Sequence, residues 1–353
     1  MPNVRAEALR ALTQDCFQAA GCPSGDAELI ARLMVLSNLR GHDSHGVRQM
    51  PRYLRNIQDG HTMPHTEMTV VRDTPSLAIL DANRAMGHVA ATRAMELAIS
   101  KARQMHISAV GVRNLDHIGR IGAYPEMAAE QGMVGLCFTA TLGPASIVTP
   151  YGGVQGRFAT NPISACFPVP QGDPVLLDFA TSVVAANKIR QALDRGKEAD
   201  EGWMIDRQGR PVRDPQAFID REAVMLPLGG PRGYKGYGLA VLVEILAGIL
   251  TGAGTFATLR DRSNTNNVSF LIVIDPTALV SREYYEREIL SLVEYLHDTE
   301  VRPGDPPVLI PGEYEGNQQR QREVEGIVIE EPVWNAIQEA AANLGVAVPT
   351  PVP

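Results

Sequence analysis

Seven consecutive residues, Gly41-His42-Asp43-Ser44-His45-Gly46-Val47, set two imidazoles, a carboxylate and a hydroxyl between glycines. A histidine titrating near pH 6.5 is the side chain best matched to moving a proton at neutral pH, and a neighbouring carboxylate or hydroxyl can fix its tautomer. The stretch follows an apolar-periodic segment, residues 27–39, so it also reads as the polar turn that ends a helix. A second cluster, Asn114-Leu115-Asp116-His117-Ile118-Gly119-Arg120-Ile121-Gly122, follows the strand-like run 107–112. His117 then falls in a loop at a strand end, where reactive side chains often collect. Proton transfer is the chemistry both clusters suit. His42, Asp43, His45, His61 and His65 are metal-ligand types, but glycines flank the first cluster and leave the geometry undefined, so no metal is expected. Ser44 lies outside any G-x-S-x-G frame, which argues against a serine hydrolase.

These loops need a scaffold, and the composition supplies one. The chain has 353 residues, 44% of them hydrophobic, enough for one large or two closely joined domains around a substantial core. Net charge is −8 with no basic tract, which excludes nucleic acid or an anionic membrane as the main partner. Cys16, Cys22, Cys137 and Cys166 form no C-x-x-C pair, Cys137 and Cys166 sit in apolar runs, and the first residues carry no export pattern. A cytoplasmic, reducing setting with free thiols is the expectation. The run 236–253 is long and apolar enough to raise the question of a membrane span, but Glu244 at its middle favours a buried core helix.

Periodicity places the elements. Three-to-four spacing predicts helices over 4–20 and 26–39, and a short one over 51–60 carrying Arg52, Tyr53 and Arg55. The period then drops to two: 69–72 and 76–81 read as a hairpin about Asp73-Thr74-Pro75. A helix over 87–106 precedes strands at 108–113, 134–140, 163–168 and 175–178. Further helices are expected at 180–194, 281–297 and 331–344, a strand at 269–274, and polar connections at 195–231 and 259–267. The class is α/β.

No G-x-G-x-x-G turn and no Walker pattern occurs, so pattern alone points to no nucleotide. Other clusters follow in order: Thr160-Asn161-Pro162, Asp178-Phe179-Ala180-Thr181-Ser182, Gly229-Gly230, Lys235-Gly236 and Pro311-Gly312-Glu313. Asp178 suits the N-cap of a following helix; Asn161, held extended before proline, would present its amide to a cleft or simply make a turn. Lys235 with free amides could hold a phosphate, or be a solvated lysine at a glycine-rich loop.

Together, GHDSHG, DHIGRIG, RFATNP, LDFATS and LIPGEYE resemble the type-2 malate/L-lactate dehydrogenase family, over about residues 5–345, and look closest to its hydroxycarboxylate dehydrogenase branch. The resemblance implies NAD or NADP bound on a non-Rossmann, mostly antiparallel sheet covered by helices, with a discontinuous helical domain. The boundaries expected are 1–66, the first part of the helical domain; 67–220, a cofactor and substrate domain; and 221–353, which returns to the helical domain. It implies a homodimer, in which the loop 144–156 could border a two-fold interface. It implies the interconversion of 2-oxo and 2-hydroxy acids, with His117 as acid/base and Ser44 and His45 beside nicotinamide and substrate. Cofactor contacts carry over to Ser44, His45, Ile121, Thr160, Asn161, Pro162, Asp178, Phe179, Ala180, Ser182, Lys235, Gly236, Pro311, Gly312 and Glu313. The substrate is then a small anion, to be docked by an arginine. Where the family most often has that arginine, two residues past Val47, this chain has Gln49, so Arg48 and Arg120 are the candidates. Related family substrates, cyclic imines and ureidoglycolate, are the alternative within enzymes, and a nucleotide-binding protein without turnover the alternative outside them.

Overall fold

A computed structural model describes residues 1–143, 146–259 and 266–351. Two residues of the loop 144–156 and six of the polar gap 259–267 therefore lie outside the described residues.

The chain opens with β1 (Asn3–Val4), α1 (Ala6–Ala19), α2 (Ser24–Leu39) and α3 (Met50–Gln58). The apolar stripes of α1 and α2 bury Leu9, Phe17, Ile30 and Met34 against each other. Tyr53 of α3, fully buried, completes this core.

The next strands are β2 (Thr69–Asp73), β3 (Leu77–Asp81), β4 (Ile107–Leu115), β5 (Val134–Leu142), β6 (Ile163–Phe167) and β7 (Val175–Phe179). With β11 (Asn266–Ile274) they make a mixed sheet in the order β2-β3-β4-β11-β5-β6-β7. The β2–β3 hairpin forms as its turn residues predict. Only the β3–β4 pairing is parallel, and a parallel pair needs a crossover, here α4 (Gly87–Met105). The alanines Ala90, Ala91, Ala94, Ala98 and Ala102 let α4 lie close to Val110, Val112, Leu271 and Val273. From the opposite face of β11, Val268, Phe270 and Ile272 meet Val243 and Ala247, so the sheet is covered on both sides.

Those last residues belong to α8 (Tyr234–Val243) and the π-helical turn Glu244–Ile249. The single buried helix expected over 236–253 is thus two segments, and only partly buried: Leu242, Ile245, Ile249 and Leu250 are 42–54% exposed. Glu244 is buried and accepts from the Phe256 amide at 2.8 Å and the Asn161 side chain at 3.2 Å. Among the described residues no helix is long and apolar enough to cross a membrane.

Other expectations need correction. The helix expected over 180–194 is α6 (Ala186–Asp194) alone, because Thr181 and Ser182 spend their hydroxyls on the backbone oxygens of Asn161 and Val184, an alternative to helix. The polar connection 195–231 holds β8 (Met204–Asp206), β9 (Pro211–Val212), α7 (Pro215–Ile219) and β10 (Ala223–Met225), around Val148, Ile189, Met204 and Phe218. Such short strands show too few residues for a period to be visible. Outside that connection three helices come without a prediction: α5 (Ala123–Ala129), α9 (Phe256–Leu259) and α11 (Glu313–Glu325), the last polar nearly all round. Between the last two in the chain is α10 (Arg282–His297). β12 (Ile327–Val328) pairs with β1, and α12 (Glu331–Asn343) returns Trp334 and Ile337 to the first core.

Beneath the sheet edge, Arg120 and Glu126 form a buried ion pair, 3% and 7% exposed, and Arg40 approaches the same carboxylate at 3.3 Å. Removing one member of such a group leaves charge uncompensated. Glu126→Ala should therefore lower unfolding free energy by about 3–5 kcal/mol in urea titrations. A loss below about 1 kcal/mol would show that the two guanidiniums find other compensation.

Candidate active site

His117 sits in the loop between β4 and α5. Asp116 secures this loop: one carboxylate oxygen accepts from the His117 amide at 2.7 Å, the other from Asn56 at 3.0 Å and Thr62 at 2.8 Å. The Ile118 amide donates to Asn267 of β11 at 3.1 Å. Gly87 at the start of α4 is tight against the same loop; a Cβ there would lie 2.2 Å from the Asp116 carbonyl oxygen and 2.3 Å from that of His117.

The ring of His117 is held through Nδ1, 2.6 Å from the Tyr53 hydroxyl and 3.2 Å from the Gly119 amide. A backbone N–H can only donate, so Nδ1 accepts and Nε2 carries the proton in this state. The His45 ring stacks on His117 at 5.7 Å and 15°. Ser44 Oγ lies 2.9 Å from His45 Nδ1, and Gln49 donates to the Ser44 carbonyl oxygen at 2.8 Å.

Beyond the end of α2 the chain makes two short 3₁₀ turns, Asp43–His45 and Val47–Gln49, packed on that helix. Asn38 organises it, donating to Asp43 at 2.7 Å and accepting from the Val47 amide at 2.9 Å. A Cβ at Gly46 would lie 2.1 Å from Asn38 Oδ1, so only glycine fits. Arg322 of α11 grips Asp43 from outside at 2.8 and 3.2 Å.

A cavity of about 700 Å³ opens over the imidazoles. His45, His117, Arg48 and Thr160 line it as the sequence suggests, together with Arg52, Asn56, Asn187 and Arg190, which the motifs did not mark. Arg52 and Tyr53 were visible as a basic and aromatic stretch but without spacing to His117, 64 residues away. Arg190 belongs to no motif. Burial holds His117 well below its usual pKa, and the charge of Arg52 adds to the effect. Burial likewise lowers His45 and His88, each to about 4. An anion entering the cavity would oppose the part due to Arg52.

The remaining candidates lie elsewhere. Arg120 does not line this cavity; paired with Glu126, it lies behind Gly122 and keeps unpartnered buried donors at Nε and Nη1. Asp178, near the end of β7, accepts from the Gly122 amide at 2.8 Å; burial raises its pKa while Arg120 and His42 oppose the rise. Ile121 is buried in this same loop, and Phe179 and Ala180 continue from Asp178. Pro311 lies alongside, its carbonyl accepting from the Leu176 amide at 2.8 Å, and Gly312 takes φ +105° where α11 begins. Glu313 caps locally, accepting from the Ile310 amide at 2.8 Å and meeting His297 at 3.0 Å. His42 reaches Glu315 at 3.3 Å.

Asn161 is not extended before Pro162: its φ is +35°, and its amide turns inward to Glu244 and, at 3.3 Å, to the Ala240 carbonyl. Bonds to a buried carboxylate and a helix carbonyl outweigh the local preference. Ser182 is buried, while Lys235 is solvated at the start of α8, where Gly236 packs on Leu228. Among the described residues no three metal-ligating side chains converge.

This geometry has close counterparts. A family model described as malate/L-lactate dehydrogenase matches residues 4–338. An L-lactate dehydrogenase of Cupriavidus necator is 36% identical, covering 97% of both chains. Hydroxycarboxylate dehydrogenase B of Escherichia coli is 35% identical over 96% of this chain and 94% of its own. The solved structure of malate dehydrogenase from Pyrococcus horikoshii superimposes with a TM-score of 0.89 at 32% identity, covering 98% of this chain and 97% of that one. The chain belongs to the malate/L-lactate dehydrogenase family.

Proposed function

We propose that this protein is an NAD(P)-dependent dehydrogenase that interconverts a 2-oxo acid and a 2-hydroxy acid in the cavity over His117. The observation that carries the reading is His117 itself, fixed through Nδ1 with Nε2 left for a reacting oxygen, in a cavity lined by arginines. Relatives named for lactate, hydroxycarboxylate and malate support the reaction class.

The unpartnered donors of Arg120 beside Gly122 and Asp178 fit a ligand rich in acceptors, as a dinucleotide is. Asp178 to Ala180, Ser182, Ile121, Thr160 to Pro162 and Pro311 to Glu313 would hold it with Ser44 and His45, and Lys235-Gly236 would contribute at the start of α8. When bound, its nicotinamide supplies or accepts the hydride.

In reduction, protonated His117 gives its Nε2 proton to the carbonyl oxygen as that oxygen gains charge, and the ring ends neutral. In oxidation the ring starts as the tautomer protonated at Nδ1, with Tyr53 accepting from Nδ1–H in place of the Gly119 contact, and Nε2 takes the hydroxyl proton. Tyr53 serves both states, because a hydroxyl can donate to Nδ1 or accept from it. Arg52, one turn beyond Gln49, docks the carboxylate next to the reacting carbon. Arg48 supports it from the 3₁₀ turn. A bound carboxylate raises the His117 pKa toward the working range, so substrate itself draws the proton in.

The exposed Leu242, Ile245, Ile249 and Leu250 support a homodimer with this face inside. Of 221–353, α11, β12 and α12 join the helical layer of 1–66, while α8 packs on the sheet and β11 lies within it, so a discontinuous helical domain would draw on the C-terminal part alone. Four buried free cysteines, with burial pushing the Cys16 thiol to about 11, suit a reducing compartment.

Initial rates with NADH and NADPH against 2-oxo acids and cyclic imines test the reaction; turnover of imines alone would overturn it. His117→Gln should lower kcat by about 10²- to 10⁴-fold with little change in cofactor affinity. An unchanged kcat removes His117 from proton transfer. Reduction uses the imidazolium, so its rate should fall as pH rises through the His117 pKa of the ternary complex, while oxidation rises. Tyr53→Phe removes an acceptor for Nδ1–H, destabilises the imidazolium and should shift the reduction profile to lower pH. An unshifted profile would leave Tyr53 a packing residue only.

A further inference from the structure

The cavity over His117 holds more positive charge than one carboxylate needs. Four arginines, Arg48, Arg52, Arg84 and Arg190, line it against one carboxylate, Asp116. Asp116 spends its oxygens on Asn56, Thr62 and the His117 amide, with Arg52 no nearer than 4.0 Å. Arg48 is matched from outside the cavity: Glu330 meets it at 2.9 Å and shares its other oxygen with Arg195 at 2.7 Å.

Arg190 is the arginine least provided for. It reaches in from α6 and donates to the neutral amide of Asn187 at 2.9 Å, and among the described residues no carboxylate pairs with it. Arg48, Arg52 and Arg190 line the same cavity, and partial burial with the charges of Arg52 and Arg48 holds the Arg190 pKa below the usual arginine value. Like charges gathered around a cavity are costly unless an anion joins them.

We propose that the substrate is a 2-oxo acid with a second anionic group, and that Arg190 is the residue that selects it. Resting on the dehydrogenase reading above, the division of labour is that Arg52, beside His117, takes the carboxylate next to the carbonyl. Arg190, across the cavity on a different element, takes the distal anion. A bidentate guanidinium suits either a carboxylate or a sulfonate at that end. Gln49 fits this scheme as a neutral spacer: it accepts from Arg52 at 3.4 Å and adds no competing charge.

The test compares oxaloacetate with 2-oxobutanoate, which has the same four-carbon chain without the distal charge, using the full-length protein with saturating NADH or NADPH. We expect kcat/KM for oxaloacetate to exceed that for 2-oxobutanoate by about tenfold or more. Arg190→Gln should cut the oxaloacetate value, chiefly through KM, by about tenfold more than it cuts the 2-oxobutanoate value, and Arg190→Lys should restore part of it. Equal use of the two acids by the native protein overturns the proposal, as does an Arg190→Gln loss that is the same for both. A rise in cofactor KM with no change in the ratio of the two acids would instead make Arg190 a phosphate contact, and also overturns it. Turnover of neither acid with either cofactor overturns the dehydrogenase reading beneath it, an outcome distinct from turnover without preference.

Discussion

The site depends on one carboxylate. Asp116 stands at the end of a central strand, yet its two oxygens look in different directions, one to the backbone of His117 and the other to Asn56 and Thr62 around the end of α3. It thereby fastens the sheet to the helical layer at the point where the reactive imidazole leaves the strand. Tyr53, one turn before Asn56 on α3, is brought by the same fastening to within hydrogen-bonding distance of His117. Each layer supplies half of the constellation, and neither half has meaning alone. The charge cost of burying Asp116 is met chiefly by three hydrogen-bond donors, with Arg52 at 4.0 Å adding a longer ion pair.

The charges divide into two systems. Arg120, Glu126 and Arg40 are closed off in the interior and hold the base of the loop where Asp178 and Gly122 meet. Arg52 and Arg190 face the cavity without full compensation. Arginine serves the first by satisfying a buried carboxylate and the second by remaining available. A sequence shows only that each is an arginine. That is why Arg120, three residues from His117, looked as good a substrate anchor as Arg48, which lies 69 residues away from it in sequence, and why Arg52 was not singled out.

Most regular elements were readable because their apolar spacing is strong: α1, α2, α4, the strands of the large sheet and α12 all bury a face wide enough to impose a period. The reactive segments were readable for a different reason, since glycine, histidine and aspartate at close spacing are unusual outside caps and sites. What escaped was whatever depends on pairing across long separations. The strands of the 204–225 region are two or three residues long, α11 has hardly any apolar stripe, and the Tyr53 to His117 contact joins two layers. Asn161 escaped through competition: a local rule for residues before proline lost to a buried carboxylate that no local rule could foresee.

The pairing of β1 with β12 has a consequence in time. Residues 3–4 bond to 327–328, and Trp334 and Ile337 fill the core begun by α1 and α2. A ribosome releases the segment bearing Ser44, His45 and Tyr53 early, but the layer that shapes it stays open until the chain beyond residue 325 emerges. The sheet between them has its own strands and crossover helix and can collapse first. Loop closure over more than 300 residues makes docking of the helical layer a late event, with its apolar stripe uncovered for most of synthesis. Residues 3–39 thus wait for partners made about 300 residues later, and the layer that carries Tyr53 closes only when 327–337 are in place.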